Sequence, residues 1–356
     1  MSFQYDVIVC HNTPLDVVKH CSQYDKTQFL VFGGQDVNCD AIQRLSNTRY
    51  FPISEFYLVL GRHQGEISSV IYFPVGGFEN TEHEFMRKPV IRVKRYYQLI
   101  DYATQNSIPQ FYFDKDRILP FPKFDTLTMH YNAHEGKRGF ILGNGPSLAN
   151  FPVHELKNEI TFGANRVYLG FKDWGFAVTY HACLDRIQFE EHLQEWLENV
   201  PEECTKLWAF DYFGYFAPKK SLPLNFNYAF SAAPRFAGGP EEVFMGHSSV
   251  YLLLQVAYAM GCNPIYLVGV DTNYEISTEE QRRGFWTSNE SQFHFHKDYC
   301  DQGDRKFALP DLELAFQSYA YARQFLDRRG VKVINLNPDS KVRDFEFQDY
   351  REILSQ

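Results

Sequence analysis

Short apolar runs alternate with helix-length stretches along most of the chain, and that alternation predicts an α/β protein. Residues 5–10 and 28–32 are apolar runs with a helix-length stretch between them, a βαβ unit. Runs at 56–60, 69–73 and 111–113 are expected as further strands, and a helix is expected over about 90–105. Over 119–133, around Pro120 and Pro122, the periodicity lapses and a linker is expected. The chain therefore reads as a small N-terminal α/β module, 1–130, of unassigned role, followed by a larger domain, 131–356.

In the larger domain an apolar strand at 139–142 runs into Gly143-Asn144-Gly145-Pro146-Ser147 and then a helical segment. Strands are expected at 159–162, 178–184, 206–210, 264–270 and 331–334. The intervening helices are expected from about 166, over 188–199, over 248–260 and over 311–329, the last stopped by Gly330. Such an order favours a Rossmann-like, mostly parallel sheet with helices on both faces, whose ligands sit beyond the carboxyl ends of the strands.

Composition narrows the function classes. A hydrophobic share of 44% fills a large core, and the 33 Phe and 23 Tyr belong chiefly to it. A formal charge of −9 with no long Lys/Arg block excludes a nucleic-acid backbone as partner. The first residues lack a basic leader and no window approaches a membrane span, so the chain is expected to be cytoplasmic, with peripheral membrane association and homo-oligomerisation left open. Seven cysteines stand singly, without a C-x-x-C pair, and read as buried thiols.

Several residues could carry chemistry. Gly143 and Gly145 allow a sharp turn, Pro146 presets φ, and Ser147 opens a helix whose free amides suit a phosphate, although a plain strand-to-helix connection would look the same. The turn lacks the Lys of a P-loop and the third Gly of a dinucleotide site. Asn165, Asp185 and Asp271 each end a strand on what should be one rim, as helix caps or as contacts to a nucleobase or ribose. His247, Ser248 and Ser249 precede an apolar helix, either as a phosphate-binding start or as a serine cap. In the run Gln292 to Tyr299, His294 and His296 could serve as general base, Tyr299 could assist a leaving phosphate, and the H-x-H pair could instead hold a metal. Asp114 and Asp116 form an Asp-x-Asp that could hold a divalent cation, but its place before the linker reads better as a solvated turn.

Taken in order, FILGNGPSL (140–148), FGANRVYL (162–169), VTYHACLD (178–185) and the long segment from His247 to Asp271 resemble one bacterial superfamily. It joins DUF115 and Maf-type flagellin glycosyltransferases with the bacterial sialyltransferases. HFHKDY (294–299), LPDLE (309–313) and VINLNPDSKVRDF (333–345) are similar to the same group, whereas 1–130 matches none of it.

The resemblance implies a GT-A-like, sialyltransferase-type Rossmann domain. It would move a sialic acid-like, nonulosonic or ulosonic sugar from a CMP-activated donor to a glycan or glycoprotein acceptor, without metal or other cofactor. By position, Asn144, Gly145, Ser147 and Asn165 would hold the nucleotide, Ser248 and Ser249 the phosphate or sugar carboxylate, His294 would be the base and Tyr299 would assist departure. His296, where the family is acidic, and Asn337-Pro338-Asp339-Ser340, where it is glycine-rich, depart from the pattern. The same superfamily contains pterin pyrophosphokinases, for which Asp185 and Asp271 would clamp magnesium and ATP. A non-catalytic nucleotide-binding assembly protein is the third reading.

Overall fold

The structure is a computed structural model. It describes residues 5–10, 17, 20–21, 23, 27–33, 40–52, 59, 62, 66–73, 97, 100–114, 117–120, 125–183, 186–209, 220–227, 234–276, 282, 285–287, 293–300 and 306–355. The chain divides into two compact units, Met1–Lys123 and most of Phe124–Gln356.

The first unit is a six-stranded sheet of β1 (Tyr5–Cys10), β2 (Gln28–Gly33), β3 (Thr48–Pro52), β4 (Ile67–Phe73), β5 (Gln110–Asp114) and β6 (Arg117–Pro120), in the order β3-β2-β1-β4-β5-β6. Only β6, antiparallel to β5, departs from parallel pairing among these strands. Phe29 and Val31 are buried with Val17, Cys21 and Ile42 on one face, while Leu30 and Phe32 between them are equally buried on the other. A strand covered on both sides must be apolar at every position, which is why 28–32 reads as an unbroken run.

Three local expectations change here. The strand beside β2 is Thr48–Pro52, whereas Val59 and Arg62, in and beyond the run at 56–60, are helical. Part of the expected linker is strand β6, and Leu127–His130 is a 3-10 turn. Asp114 and Arg117 are backbone register partners where β5 and β6 run antiparallel; Lys115 and Asp116 between them lie outside the described residues.

The second unit is built on an all-parallel, eight-stranded sheet, a Rossmann-like α/β arrangement. Its strands are β7 (Gly139–Leu142), β8 (Ile160–Ala164), β9 (Tyr180–Cys183), β10 (Thr205–Ala209), β11 (Ser221–Leu224), β14 (Ile265–Val268), β17 (Val333–Asn335) and β18 (Glu346–Phe347). Two small pairs lie apart from it: β12 (Phe226–Asn227) with β13 (Val243–Phe244), and β15 (Phe285–Thr287) with β16 (Lys306–Ala308). The large sheet runs β11-β10-β9-β8-β7-β14-β17-β18. From β7 the chain steps outward through β8 to β11, then returns to the other side of β7 with β14. The topological switch point, where doubly wound sheets hold ligands, is therefore between β7 and β14.

Three helices dominate the cover: α1 (Arg186–Asn199), α2 (Ser249–Ala259) and α3 (Leu312–Asp327). Apolar on nearly every side, α2 buries Tyr251 to Val256 in succession and packs on β7 and β8. Its one long polar side chain, Gln255, accepts from the Ala237 and Phe244 amides and donates to the Phe244 carbonyl. Asp311 caps α3 by accepting from the Leu314 amide at 3.1 Å. The helix expected from about 166 is instead a 3-10 turn, Asn165–Gly170, and one α-turn, Phe171–Trp174, closed by Gly175 at φ 74°. Among the described residues no helix is long and apolar enough to cross a membrane.

Candidate active site

The ends of β7, β8 and β14 share one rim because all three strands run parallel. The glycine turn after β7 lies along the end of β14. Gly143 N–H donates to Val268 O at 2.7 Å and Gly145 N–H to Gly269 O at 2.9 Å. This approach leaves no room for side chains, since a Cβ on Gly143 would stand 2.4 Å from the Gly269 carbonyl oxygen and one on Gly145 2.5 Å from Asp271 Oδ2.

The expectation of free amides for a phosphate at Ser147 is corrected by Asp271. Its carboxylate accepts from Ser147 N–H at 2.8 Å, from the Ser147 hydroxyl, and from Asn337 Nδ2 at 2.6 Å, and the residue is only 5% exposed. A helix start attracts negative charge. Here the neighbouring strand supplies it, so the chain brings its own anion to the turn. The helical segment that follows is a short 3-10 turn, Pro146–Asn150. Asp271 thus joins three segments, and the magnesium-clamping role implied for it would have to displace these bonds; Asp185, the other carboxylate of that reading, lies outside the described residues.

The polar groups left at the rim are carboxamides. Asn144 donates through Nδ2 to Ala164 O at 3.0 Å, which brings it beside Asn165, and its Oδ1 is buried without a partner among the described residues. Asn165 sits at φ 54°, a left-handed turn that Asn tolerates better than most residues, and its Oδ1 is likewise buried without a partner among the described residues. Its Nδ2 is 3.4 Å from Ser249 Oγ at the start of α2. The Asn165 carbonyl is fixed from below by His181. Trp196 Nε1 donates to His181 Nδ1 at 2.6 Å, so the proton sits on Nε2, which donates to Asn165 O at 2.8 Å. Burial pushes the His181 pKa down to about 3 and keeps the imidazole neutral.

Ser248 is the cap of α2. It accepts from the Val250 amide at 3.2 Å and pairs with the buried Tyr319 hydroxyl at 2.8 Å. Of the two serines, Ser249 is the one that meets Asn165. His247 is half-buried at φ 56° just before the cap.

The histidine segment comes to the same rim. Phe295 N–H donates to Asn144 O at 2.9 Å, and the Phe295 ring packs 5.6 Å from that of Trp174. His294 lies flat on Tyr299, with centroids 3.8 Å apart and planes at 7°, and its Nδ1 is 3.6 Å from Cys300 Sγ. His296 behaves differently. Its Nδ1 accepts from the Asp298 amide at 3.2 Å, a local turn contact. Tyr299 is 3% exposed, and burial raises its phenol well above the ordinary value, so it is a protonated donor and a wall for the imidazole.

Arg166 was not singled out by sequence. It is 3% exposed, pairs with Glu195 at 2.6 Å, and donates through Nη1 to the carbonyls of Asp298, at 2.7 Å, and Tyr299. Its signal was a cation directly after a strand-end Asn in an otherwise apolar run. His181, an imidazole inside the apolar strand β9, carried a similar one. Asn337, noted only as a departure from the family pattern, holds Asp271. A cleft of about 470 Å³ is lined by Ile276, Leu309, Pro310, Asp311, Leu312 and Glu313, of which Ile276 and Leu309 also pack on the Tyr299 and Cys300 cluster.

No family model and no curated protein matches the chain. Among solved structures, the A chain of dipicolinate synthase from Bacillus subtilis aligns at 9% identity over 62% of this chain and 88% of that one, with a TM-score of 0.18. A likeness of that size carries no argument about function.

Proposed function

We propose that the second unit is a transferase moving an acidic, sialic acid-like sugar from a CMP-activated donor to a hydroxyl of a glycan or glycoprotein, with His294 as general base. The observation that carries this reading is the 2.9 Å bond from the Phe295 amide to the Asn144 carbonyl. It brings an imidazole-bearing segment to the ends of β7 and β8, beside two carboxamides whose buried oxygens have no partner among the described residues. Those oxygens call for donors, and a cytidine nucleotide offers an exocyclic amine and ribose hydroxyls.

In the reaction, His294 takes the proton from the acceptor hydroxyl as its oxygen bonds to the anomeric carbon. The bond from that carbon to the phosphate oxygen breaks, and its electron pair leaves with CMP. The Ser249 hydroxyl and the start of α2 meet the departing charge. Ser147 and Asp271 hold the turn in shape and do not touch the nucleotide.

The test is release of CMP from a panel of CMP-activated acidic sugars, with and without glycan acceptors. Wild type should release CMP, and His294→Ala should lose at least a hundredfold in kcat with little change in CMP affinity. Near-normal turnover by that variant removes His294 as base. Turnover of ATP to AMP with a pterin, abolished by chelator, would move the assignment to the pyrophosphokinases.

A further inference from the structure

The side chain with the most unusual environment near the site is a buried cation. Taking a guanidinium out of water costs several kcal/mol unless it is paired and its donors are used. Arg166 is paired, and both of its Nη groups donate, to groups from two separate segments. One edge of its fork pairs with Glu195 of α1 at 2.6 Å. The other holds two successive carbonyls, those of Asp298 and Tyr299, in the segment that carries His294. The ring of Tyr299 lies 5.9 Å from the guanidinium carbon and stacks on His294. Arg166 also follows Asn165 directly, so one dipeptide turns a carboxamide to the rim and a cation to the backbone beneath the imidazole. A lysine in its place would bring a point charge unable to span both sides at once.

We infer that Arg166 is the positioning residue for the candidate base: with Glu195 as its counter-charge, it clamps the backbone at Asp298 and Tyr299 and so fixes the Tyr299 ring on which the His294 imidazole lies. This rests on the transferase reading for its catalytic consequence. Its mechanical part does not depend on that reading. His294 takes the proton, and Arg166 touches neither sugar nor nucleotide.

The experiment compares wild type, Arg166→Lys, Glu195→Gln, His294→Ala and the double variant Arg166→Lys/His294→Ala. The readouts are amide hydrogen exchange over 293–300, calorimetric titration with CMP, and CMP release from a CMP-activated sialic acid. In Arg166→Lys, exchange at the 295–299 amides should quicken about tenfold or more, as expected when a local opening loses about 1.4 kcal/mol. Its kcat should fall at least tenfold, with KM for the donor and the CMP affinity within about twofold of wild type. Glu195→Gln, which keeps the shape, should fall between the two. A purely structural role would lower activity in any background, whereas positioning acts through the imidazole. On the His294→Ala background, Arg166→Lys should therefore change residual kcat by less than about twofold. Unchanged exchange in Arg166→Lys overturns the clamp, and an equal loss of kcat with and without His294 overturns the positioning role. If wild type releases no CMP from any donor, the transferase reading falls, and exchange over 293–300 alone decides whether Arg166 orders the segment.

Discussion

Replacing Asp271 by Asn keeps the shape of the side chain but removes its charge and turns one acceptor oxygen into a donor. Three donors converge on that carboxylate: the Ser147 amide at 2.8 Å, the Ser147 hydroxyl, and Asn337 Nδ2 at 2.6 Å. An amide has no orientation that suits all three. With its nitrogen toward the Ser147 amide, N–H faces N–H. With its nitrogen on the other side it faces Asn337, which can adapt only by flipping and giving up the bond it accepts from the Asp339 amide at 3.0 Å. One buried donor is left unpaired at about 1–3 kcal/mol, and the surviving bonds fall from charge-assisted to neutral strength, about 1 kcal/mol more. The expected loss is about 3 kcal/mol. At about 2–4 °C per kcal/mol for a unit of this size, Tm should drop by about 6–12 °C. All four tryptophans, at 174, 196, 208 and 286, belong to the second unit, so their emission reports its unfolding separately from the first. A Tm for Asp271→Asn within about 2 °C of wild type would refute the assignment of this carboxylate as the internal anion of the glycine turn.

Two further outcomes concern the close approach at Gly145 and the buried imidazole of His181. Gly145→Ala places a Cβ 2.5 Å from Asp271 Oδ2 and 2.7 Å from the Gly269 carbonyl oxygen, so it should cost about 1–3 kcal/mol by tryptophan-monitored urea unfolding; wild-type stability would contradict the close approach of β7 and β14. His181 has its pKa pushed down by burial to about 3, against about 6.5 in the unfolded chain. The unfolded chain therefore takes up the proton first as pH falls. The stability due to neutral His181 is complete above about pH 6.5 and is lost by up to about 1.4 kcal/mol per pH unit from there toward pH 3. His181→Asn should flatten that acid limb, and equal slopes in the two proteins would be evidence against a neutral buried imidazole.

The fold was legible wherever burial on both faces wrote an unbroken apolar run, as in β2, β7 and β14. It was less legible where an element is held by partners distant in sequence. β18 presents two exposed residues, Glu346 and Phe347, and carries no apolar signature, while Thr48–Pro52 mixes Arg and Tyr into an edge strand. The turn after β8 looked helical because Arg166, Val167, Tyr168 and Phe171 are all buried, but Gly170 and Gly175 break it into short turns.

At the site, the sequence located the glycine turn, Asn165, Ser249 and His294 on segments that do meet. What it could not supply was the pairing between them. A serine opening a helix looks like a phosphate seat until a carboxylate 124 residues away is known to reach it. The alternation of strands and helices says that β14 follows much later than β7 but not that the two are neighbours. Arg166 illustrates the same limit, since its partners, Glu195 and the carbonyls at 298 and 299, are distant in sequence and two of them are backbone atoms.

The transferase reading puts a cytidine nucleotide against the carboxamides of Asn144 and Asn165, at the ends of β7 and β8. Calorimetric titration with CMP of wild type, Asn144→Ala, Asn165→Ala and His294→Ala tests it directly. Saturable binding to wild type is expected, with a loss of about tenfold in each asparagine variant, equivalent to one hydrogen bond of about 1.4 kcal/mol, and near-wild-type affinity in His294→Ala. Absence of CMP binding to wild type, or unchanged affinity in both asparagine variants, would contradict it.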